Sequence, residues 1–204
     1  MTLIIVLITS LVSIAAFRSE ELMSKLLFNP YKVYHKREWY RLFTHGLLHA
    51  DWYHLIINMI VLYSFGIAVE RYFDQLAAAG FIKYPVLNFF ILYLGGIVIS
   101  SVTTLWKHRN NSEYNSIGAS GAVSAVVFTN IFFGPMNTLL FYFIPIPGIL
   151  GGIIYLVYSH YMSRRGKDNI NHDAHFVGAV FGFLFPVFMN AQLIRIFFNQ
   201  LNIF

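Results

Sequence analysis

Residues 114–163 read YNSIGASGAVSAVVFTNIFFGPMNTLLFYFIPIPGILGGIIYLVYSHYMS, a run with no Asp, Glu, Lys or Arg in it. A helix needs roughly 20 apolar residues to cross a bilayer, so this one stretch has the length for two crossings. A second charge-free run covers residues 85–106, PVLNFFILYLGGIVISSVTTLW. Soluble domains carry about 25% charged residues. This chain carries 11%, against 57% apolar, and its mean hydropathy is +0.61. A membrane protein is the class that fits.

Working outward from these runs, six spans are expected, at about residues 2–17, 52–70, 85–105, 117–133, 138–162 and 174–194. The first lacks a basic leader and a small-residue cleavage site, so it reads as a span and not as a signal peptide. No internal repeat or soluble module interrupts the pattern, which predicts one all-α bundle over residues 1–204, with a short tail from Arg195. There is no cysteine, which removes disulfides, thiolate metal sites and cysteine nucleophiles. The net charge of +5 suits anionic lipid headgroups. The basic residues form no stripe, so nucleic acid is not an expected partner. A transporter would want paired intramembrane charges or inverted repeats, and neither is visible.

The connection between the first two spans is long. It mixes Tyr31, Tyr34, Trp39 and Tyr40 with Lys25, Lys32, Lys36, Arg37 and Arg41, a composition that favours the headgroup zone. An interfacial element lying on the bundle is expected there.

Two polar groups inside the spans carry the functional reading. Ser120 lies in Gly118-Ala119-Ser120-Gly121, where a helix beginning nearby offers unpaired amides and the positive end of its dipole. His175 lies in Ala174-His175-Phe176-Val177-Gly178, with Gly182 one turn on. Gly178 and Gly182 form a small-residue face, and Gly121 with Ala125 forms a matching one. Docking those faces brings Ser120 to His175, a nucleophile to a base. Asp173 is two residues from His175 and so on the opposite side of a helix. It therefore suits a cap on the sixth span, and a dyad is expected rather than a triad. On the second span His54 and Asn58 share a face and are candidate donors to an oxyanion. His45 and His49 are also four apart, but Gly46 stands where a zinc hydrolase motif needs glutamate, so they read as structural hydrogen-bonders. Pro145, Pro147, Gly148, Gly151 and Gly152 forbid a regular helix at the start of the fifth span. The polar connection 163–172 is a candidate cap.

Three motifs in order resemble the rhomboid family of intramembrane serine proteases. They are Trp39-Tyr40-Arg41 through His54-Leu55-Ile56-Ile57-Asn58, then Gly118-Ala119-Ser120-Gly121, then Ala174-His175-Phe176-Val177-Gly178 with Gly182. The resemblance implies a six-span bundle with an interfacial first loop. Ser120 is the implied nucleophile and His175 the implied base, with the oxyanion held by the Ser120 amide, His54 and Asn58. Trp39 and Arg41 are implied to be structural, Gly118 to pack the approach to Ser120, and Glu70 to brace the far side. It also implies an integral protein of the bacterial cytoplasmic (inner) membrane, open to the extracytoplasmic side, acting on transmembrane protein substrates in the lipid bilayer without cofactor or metal. A non-proteolytic relative that binds transmembrane clients is the alternative, and the intact Ser120 and His175 count against it.

Two features depart from that pattern. The loops that the family places outside hold eleven of the fourteen Lys and Arg, against three on the other side, the reverse of the positive-inside rule. The family orientation is kept because the first loop reads as embedded. The second departure is Ser124, four residues after the serine, where many bacterial members carry an aromatic ring against the histidine. The expectation is a loosely held base, or one backed by Phe128 or Phe176, with Ser124→Tyr keeping or raising activity.

Overall fold

A computed structural model describes residues 1–141, 144–166 and 170–201. The helices are α1 (Thr2–Ala16), α2 (Glu20–Leu26), α3 (Pro30–Lys36), α4 (Arg41–Thr44), α5 (Trp52–Ala78), α6 (Pro85–His108), α7 (Ser120–Phe133), α8 (Gly148–Arg165), α9 (His172–Met189) and α10 (Leu193–Gln200). A short hairpin, β1 (Thr138–Phe141) and β2 (Ile144–Pro147), precedes α8. The fold is a mostly helical membrane bundle.

The expected spans map onto α1, α5, α6, α7, α8 and α9. Of these, α5, α6 and α9 are long and apolar enough to cross a membrane by themselves, while α1 and α7 are apolar but shorter. The fifth expected span, 138–162, is corrected: residues 138–141 and 144–147 pair as antiparallel strands, with Pro145 opposite Leu140 and Pro147 opposite Thr138. Proline has no N–H for a helix interior but is tolerated on an edge strand, so the helix waits until Gly148. The expected continuation of the sixth span past residue 190 is also corrected. Asn190 leaves the helix with an extended backbone, donates from its side chain to the Phe81 carbonyl and accepts from the Gln192 amide. A separate α10 follows.

α7 is the centre of the bundle, with twelve of its fourteen residues buried. Its neighbours come unusually close. A β-carbon on Gly178 of α9 would overlap the Gly121 carbonyl, and one on Gly182 would overlap the Ala125 carbonyl. Gly96 of α6 is similarly tight, since a β-carbon there would lie 2.9 Å from Cα of Ala122. Thr129 donates to the Gly182 carbonyl at 2.7 Å and locks the α7–α9 seam. At the periphery the usual burial pattern is reversed. α1 turns Thr2, Thr9 and Ser13 inward and leaves Leu3, Leu7 and Leu11 exposed, as a helix surrounded by lipid should. Glu70 accepts the Thr2 amide at 2.6 Å, so it secures the start of α1 from the middle of α5 and not from a helix end.

The first connection is an ordered element, α2 to α4. The buried Arg41 ties it together, with Nε 2.5 Å from Glu38 and one Nη donating to the carbonyls of Ser24 and Leu27 at 2.9 and 2.7 Å. The hydrogen bond from Arg41 holds the Glu38 carboxyl below its ordinary range. Trp39, Tyr40 and Phe43 are exposed, consistent with a headgroup-level face. Two buried histidines fasten this element to the bundle. The Ser13 hydroxyl donates to the Leu47 carbonyl at 2.8 Å, so the His49 Nδ1 3.0 Å away must be the donor to Ser13. The Ser101 hydroxyl likewise donates to the Ile97 carbonyl, which makes His45 Nε2 the donor at 3.0 Å. His45 and His49 thus face different helices, and their role in the fold is structural.

Two outcomes follow from this packing. Gly178→Ala and Gly182→Ala should each cost about 1–3 kcal/mol, the range for overpacking, read as a lower thermal unfolding midpoint in detergent. Unchanged midpoints would show that α7 and α9 do not meet backbone to backbone. Burial also pushes His45 down to about 4 and His49 down to about 3, whereas an unfolded imidazole titrates near 6.5. The unfolded chain therefore binds more protons between these values. Stability should be complete above about pH 6.5 and fall as pH drops towards 4 and then 3, by at most about 1.4 kcal/mol per pH unit per group. A pH series of midpoints for wild type and the His45→Gln/His49→Gln double variant should show a slope for the first that is flattened in the second.

Candidate active site

Ser120 is the first residue of α7. The chain reaches it from an isolated bridge between Phe28 and Ser116, and the Gly118 amide donates to the His45 carbonyl at 3.0 Å. Gly118 has φ +121°, a conformation open to glycine and few others. A β-carbon there would also lie 2.9 Å from Cε1 and 3.2 Å from Nε2 of His54. Glycine is therefore required twice at this point, for the turn and for the ring beside it. The helix cap, Ala119, supplies no side-chain acceptor, and the first amides of a helix have no intrahelical acceptor.

His175 stands in the first turn of α9, and its Nε2 lies 2.7 Å from Oγ of Ser120. The seam of Gly121, Ala125, Gly178 and Gly182 is what brings these two helix starts together. An imidazole at that distance can take the hydroxyl proton as the oxygen becomes a nucleophile. Asp173 is not the cap that was expected. Asn171 caps α9, accepting from the Ala174 amide, and Asp173 lies inside the first turn. Its carboxylate accepts from Ser163 and from Lys107, the latter at 3.2 Å, and so ties α9 to the ends of α8 and α6. The connection 163–172, expected as a cap, includes residues 167–169, which lie outside the described residues.

His54 opens α5, where Asp51 caps the helix by accepting the His54 amide at 2.8 Å. The Ala50 amide, which can only donate, lies 3.3 Å from His54 Nδ1. Nδ1 is thus the acceptor, and the ring proton sits on Nε2, the edge turned to Gly118. Asn58 is buried, and its Nδ2 donates to the His54 carbonyl at 2.9 Å, which leaves the second amide hydrogen for another acceptor. Ser120, His175 and His54 are all half-buried and sit at the N-terminal ends of α7, α9 and α5, on the side of the bundle that carries the first connection. Trp39 and Arg41 belong to that connection, within which Arg41 bonds to Glu38, Ser24 and Leu27.

The ring expected near His175 comes from an unforeseen place. Tyr155 of α8 lies nearly parallel to the His175 ring, with centroids 6.3 Å apart and planes at 16°. Its hydroxyl is 2.7 Å from Oγ of Ser124. Phe128 packs on Tyr155 and Phe176 on His160. The expectation for Ser124→Tyr therefore reverses: Ser124 is buried against the Tyr155 phenol, and a second ring has no room. The signal in the sequence was a tyrosine inside an apolar helix, since a phenol taken out of water needs a hydrogen-bond partner.

The Rhomboid domain family matches residues 36–192. The chain is 34% identical over 155 residues to RHOMBOID-like protein 12, mitochondrial, of Arabidopsis thaliana, covering 68% of this chain and 43% of that protein. It is 28% identical over 146 residues to Rhomboid protease GluP of Bacillus subtilis, covering 72% of this chain and 25% of the relative. Rhomboid protein 1, mitochondrial, of Saccharomyces cerevisiae is 28% identical over 144 residues, covering 67% of this chain and 38% of the relative. The chain thus spans under half the length of each of these three. With the family matched over most of its length, on a helical membrane bundle, the chain belongs to the rhomboid family.

Proposed function

We propose that the chain is an intramembrane serine endopeptidase that cleaves transmembrane protein substrates with a Ser120–His175 dyad. The observation that carries the proposal is the 2.7 Å contact between His175 Nε2 and Ser120 Oγ at the N-terminus of a buried helix. The name of the Bacillus subtilis relative, Rhomboid protease GluP, supports the reading.

In this mechanism Ser120 Oγ attacks the scissile carbonyl as its proton passes to His175 Nε2. The oxyanion that forms is met by the Ser120 amide, His54 Nε2–H and the free amide hydrogen of Asn58, with the positive end of the α7 dipole behind them. The protonated His175 then delivers its proton to the leaving amine, and water hydrolyses the acyl-enzyme by the reverse relay. The substrate reaches the site from the bilayer between helices, and water from the end where α5, α7 and α9 begin.

The proposal takes residues 1–204 as one domain crossing the membrane six times, by α1 and α5 to α9. The first connection faces the extracytoplasmic side, in spite of its basic residues. The bacterial cytoplasmic membrane is the proposed compartment, supported by the Bacillus relative, while the mitochondrial names of two others point to the organelle instead.

Purified protein incubated with a model transmembrane substrate tests the chemistry. Ser120→Ala and His175→Ala should each reduce cleavage to background, and the double variant should be scarcely worse, because nucleophile and base act as a unit. His54→Ala and Asn58→Ala should slow turnover by up to about 10²–10³-fold while Ser120 still takes a fluorophosphonate label. Chelator-sensitive cleavage that survives Ser120→Ala would falsify the serine mechanism. Orientation is tested separately with reporter fusions, which should place the 163–172 connection outside and the C-terminal end in the cytoplasm. The opposite result would open the site to the cytoplasmic face.

A further inference from the structure

We propose that the end of α6 carries a binding site for the phosphate of an anionic phospholipid, with Arg109 as its receptor. The charge-free run 85–106 ends at Trp106, in the last turn of a helix long enough to cross the membrane. Arg109 follows α6 as its cap, so it stands at the bilayer boundary on the side that carries the first connection. Its guanidinium lies over two exposed rings, 4.5 Å from the centroid of Trp106 and 5.9 Å from that of Tyr34 on α3. One Nη donates to the Trp106 carbonyl at 2.7 Å. Polar contacts fasten α3 to the chain beyond α6 and so hold Tyr34 in place. His35 Nε2 is 3.1 Å from Asn110 Oδ1, and Asn29 donates to the Ser112 carbonyl at 2.9 Å and to Asn115 at 3.0 Å.

Arg109 has no protein counter-ion among the described residues. The ion pairs there join the N-terminus to Glu70, Arg41 to Glu38 and Lys107 to Asp173. The neighbouring Lys107 is therefore neutralised, while the half-buried Arg109 is not. A guanidinium whose faces meet aromatic rings keeps the edge of its planar fork for an oxyanion, which it binds through two parallel N–H donors. The helix below shows what carries that oxyanion. Ile99, Val102 and Trp106 are exposed and, with Arg109, recur at steps of three and four residues, so they form one stripe along α6. An amphiphile matches the whole stripe, with its acyl chain on Ile99 and Val102 and its phosphate on Arg109. A free oxyanion would use the last residue alone. The unneutralised charge favours a headgroup with net negative charge, since a zwitterionic one brings an ammonium of its own.

The other two tryptophans, Trp39 and Trp52, are exposed, so the Trp39→Phe/Trp52→Phe variant leaves Trp106 as the only indole. This reference protein is reconstituted in phosphatidylcholine vesicles. It is titrated with phosphatidylglycerol brominated on its acyl chains, and separately with phosphatidylcholine brominated in the same way. Contact quenching of Trp106 then gives the relative affinity of the two lipids. The anionic lipid should be favoured roughly 3- to 10-fold, the scale of one basic residue against an anionic surface. Adding Arg109→Gln should remove most of that preference. Arg109→Lys keeps the charge without the fork and should fall between the two. Lys25→Gln removes the same charge from α2, on the same side of the bundle, and should leave the preference unchanged. Unfolding midpoints check the fold of each variant, and if Arg109→Gln does not fold, Arg109→Lys carries the test. An undiminished preference in the Arg109 variant tested would overturn the proposal. So would equal losses in Arg109→Gln and Lys25→Gln, which would make the effect one of diffuse surface charge. Inorganic phosphate, compared with chloride at the same ionic strength, should not relieve the quenching. If it does, the ligand is a soluble oxyanion and the lipid assignment falls.

Discussion

Everything at this site depends on two helices meeting at backbone distance. Gly178 and Gly182 of α9 lie against the carbonyls of Gly121 and Ala125 of α7, closer than any side chain would permit. A membrane offers little hydrophobic force between helices, so association depends on close packing and interhelical hydrogen bonds. The Thr129 bond to Gly182 supplies one of these. Because the seam fixes both rotation and register, Ser120 and His175 have one relative position. A single added methyl group would separate the helices, and the 2.7 Å contact would be lost with them.

The same end of the bundle collects the other requirements. α5, α7 and α9 all begin there, so three positive dipole ends face one region, and α7, which has no side-chain cap, adds its first amides. The first connection closes over it through polar fastenings, His49 to Ser13, His45 to Ser101, and the His45 carbonyl to the Gly118 amide. These bonds hold the loop that delivers Gly118, and Gly118 in turn makes room for His54. The connection is therefore part of the scaffold of the site.

The pairing of Ser120 with His175 was legible in the sequence because it rests on periodicity. Small residues four apart on two spans define faces, and each polar group sits a fixed number of residues from its face. For Gly118 the resemblance implied only close packing of the approach to Ser120, and its left-handed turn, φ +121°, was not read. What could not be read was set by contacts between elements with no local signature. Tyr155 meets His175 only because of how α8 lies across α7 and α9. Asn171 caps α9 in place of Asp173, and both types are good caps, so only the position at which the helix starts distinguishes them. The hairpin at 138–147 was half visible: its prolines forbade a helix, but nothing nearby announced a pair of strands.

The shortness of α7 has a cost that the arrangement avoids. α7 has fourteen residues and α5 has twenty-seven, about 21 Å against about 40 Å of helix. Facing lipid, a helix that short would force the surrounding hydrocarbon to thin, at a fraction of a kcal/mol for each ångström of hydrophobic mismatch. α7 is enclosed by longer neighbours and meets almost no lipid, so the bilayer adjusts to those neighbours alone. Enclosure thus separates the length of the serine-bearing helix from the thickness of the membrane.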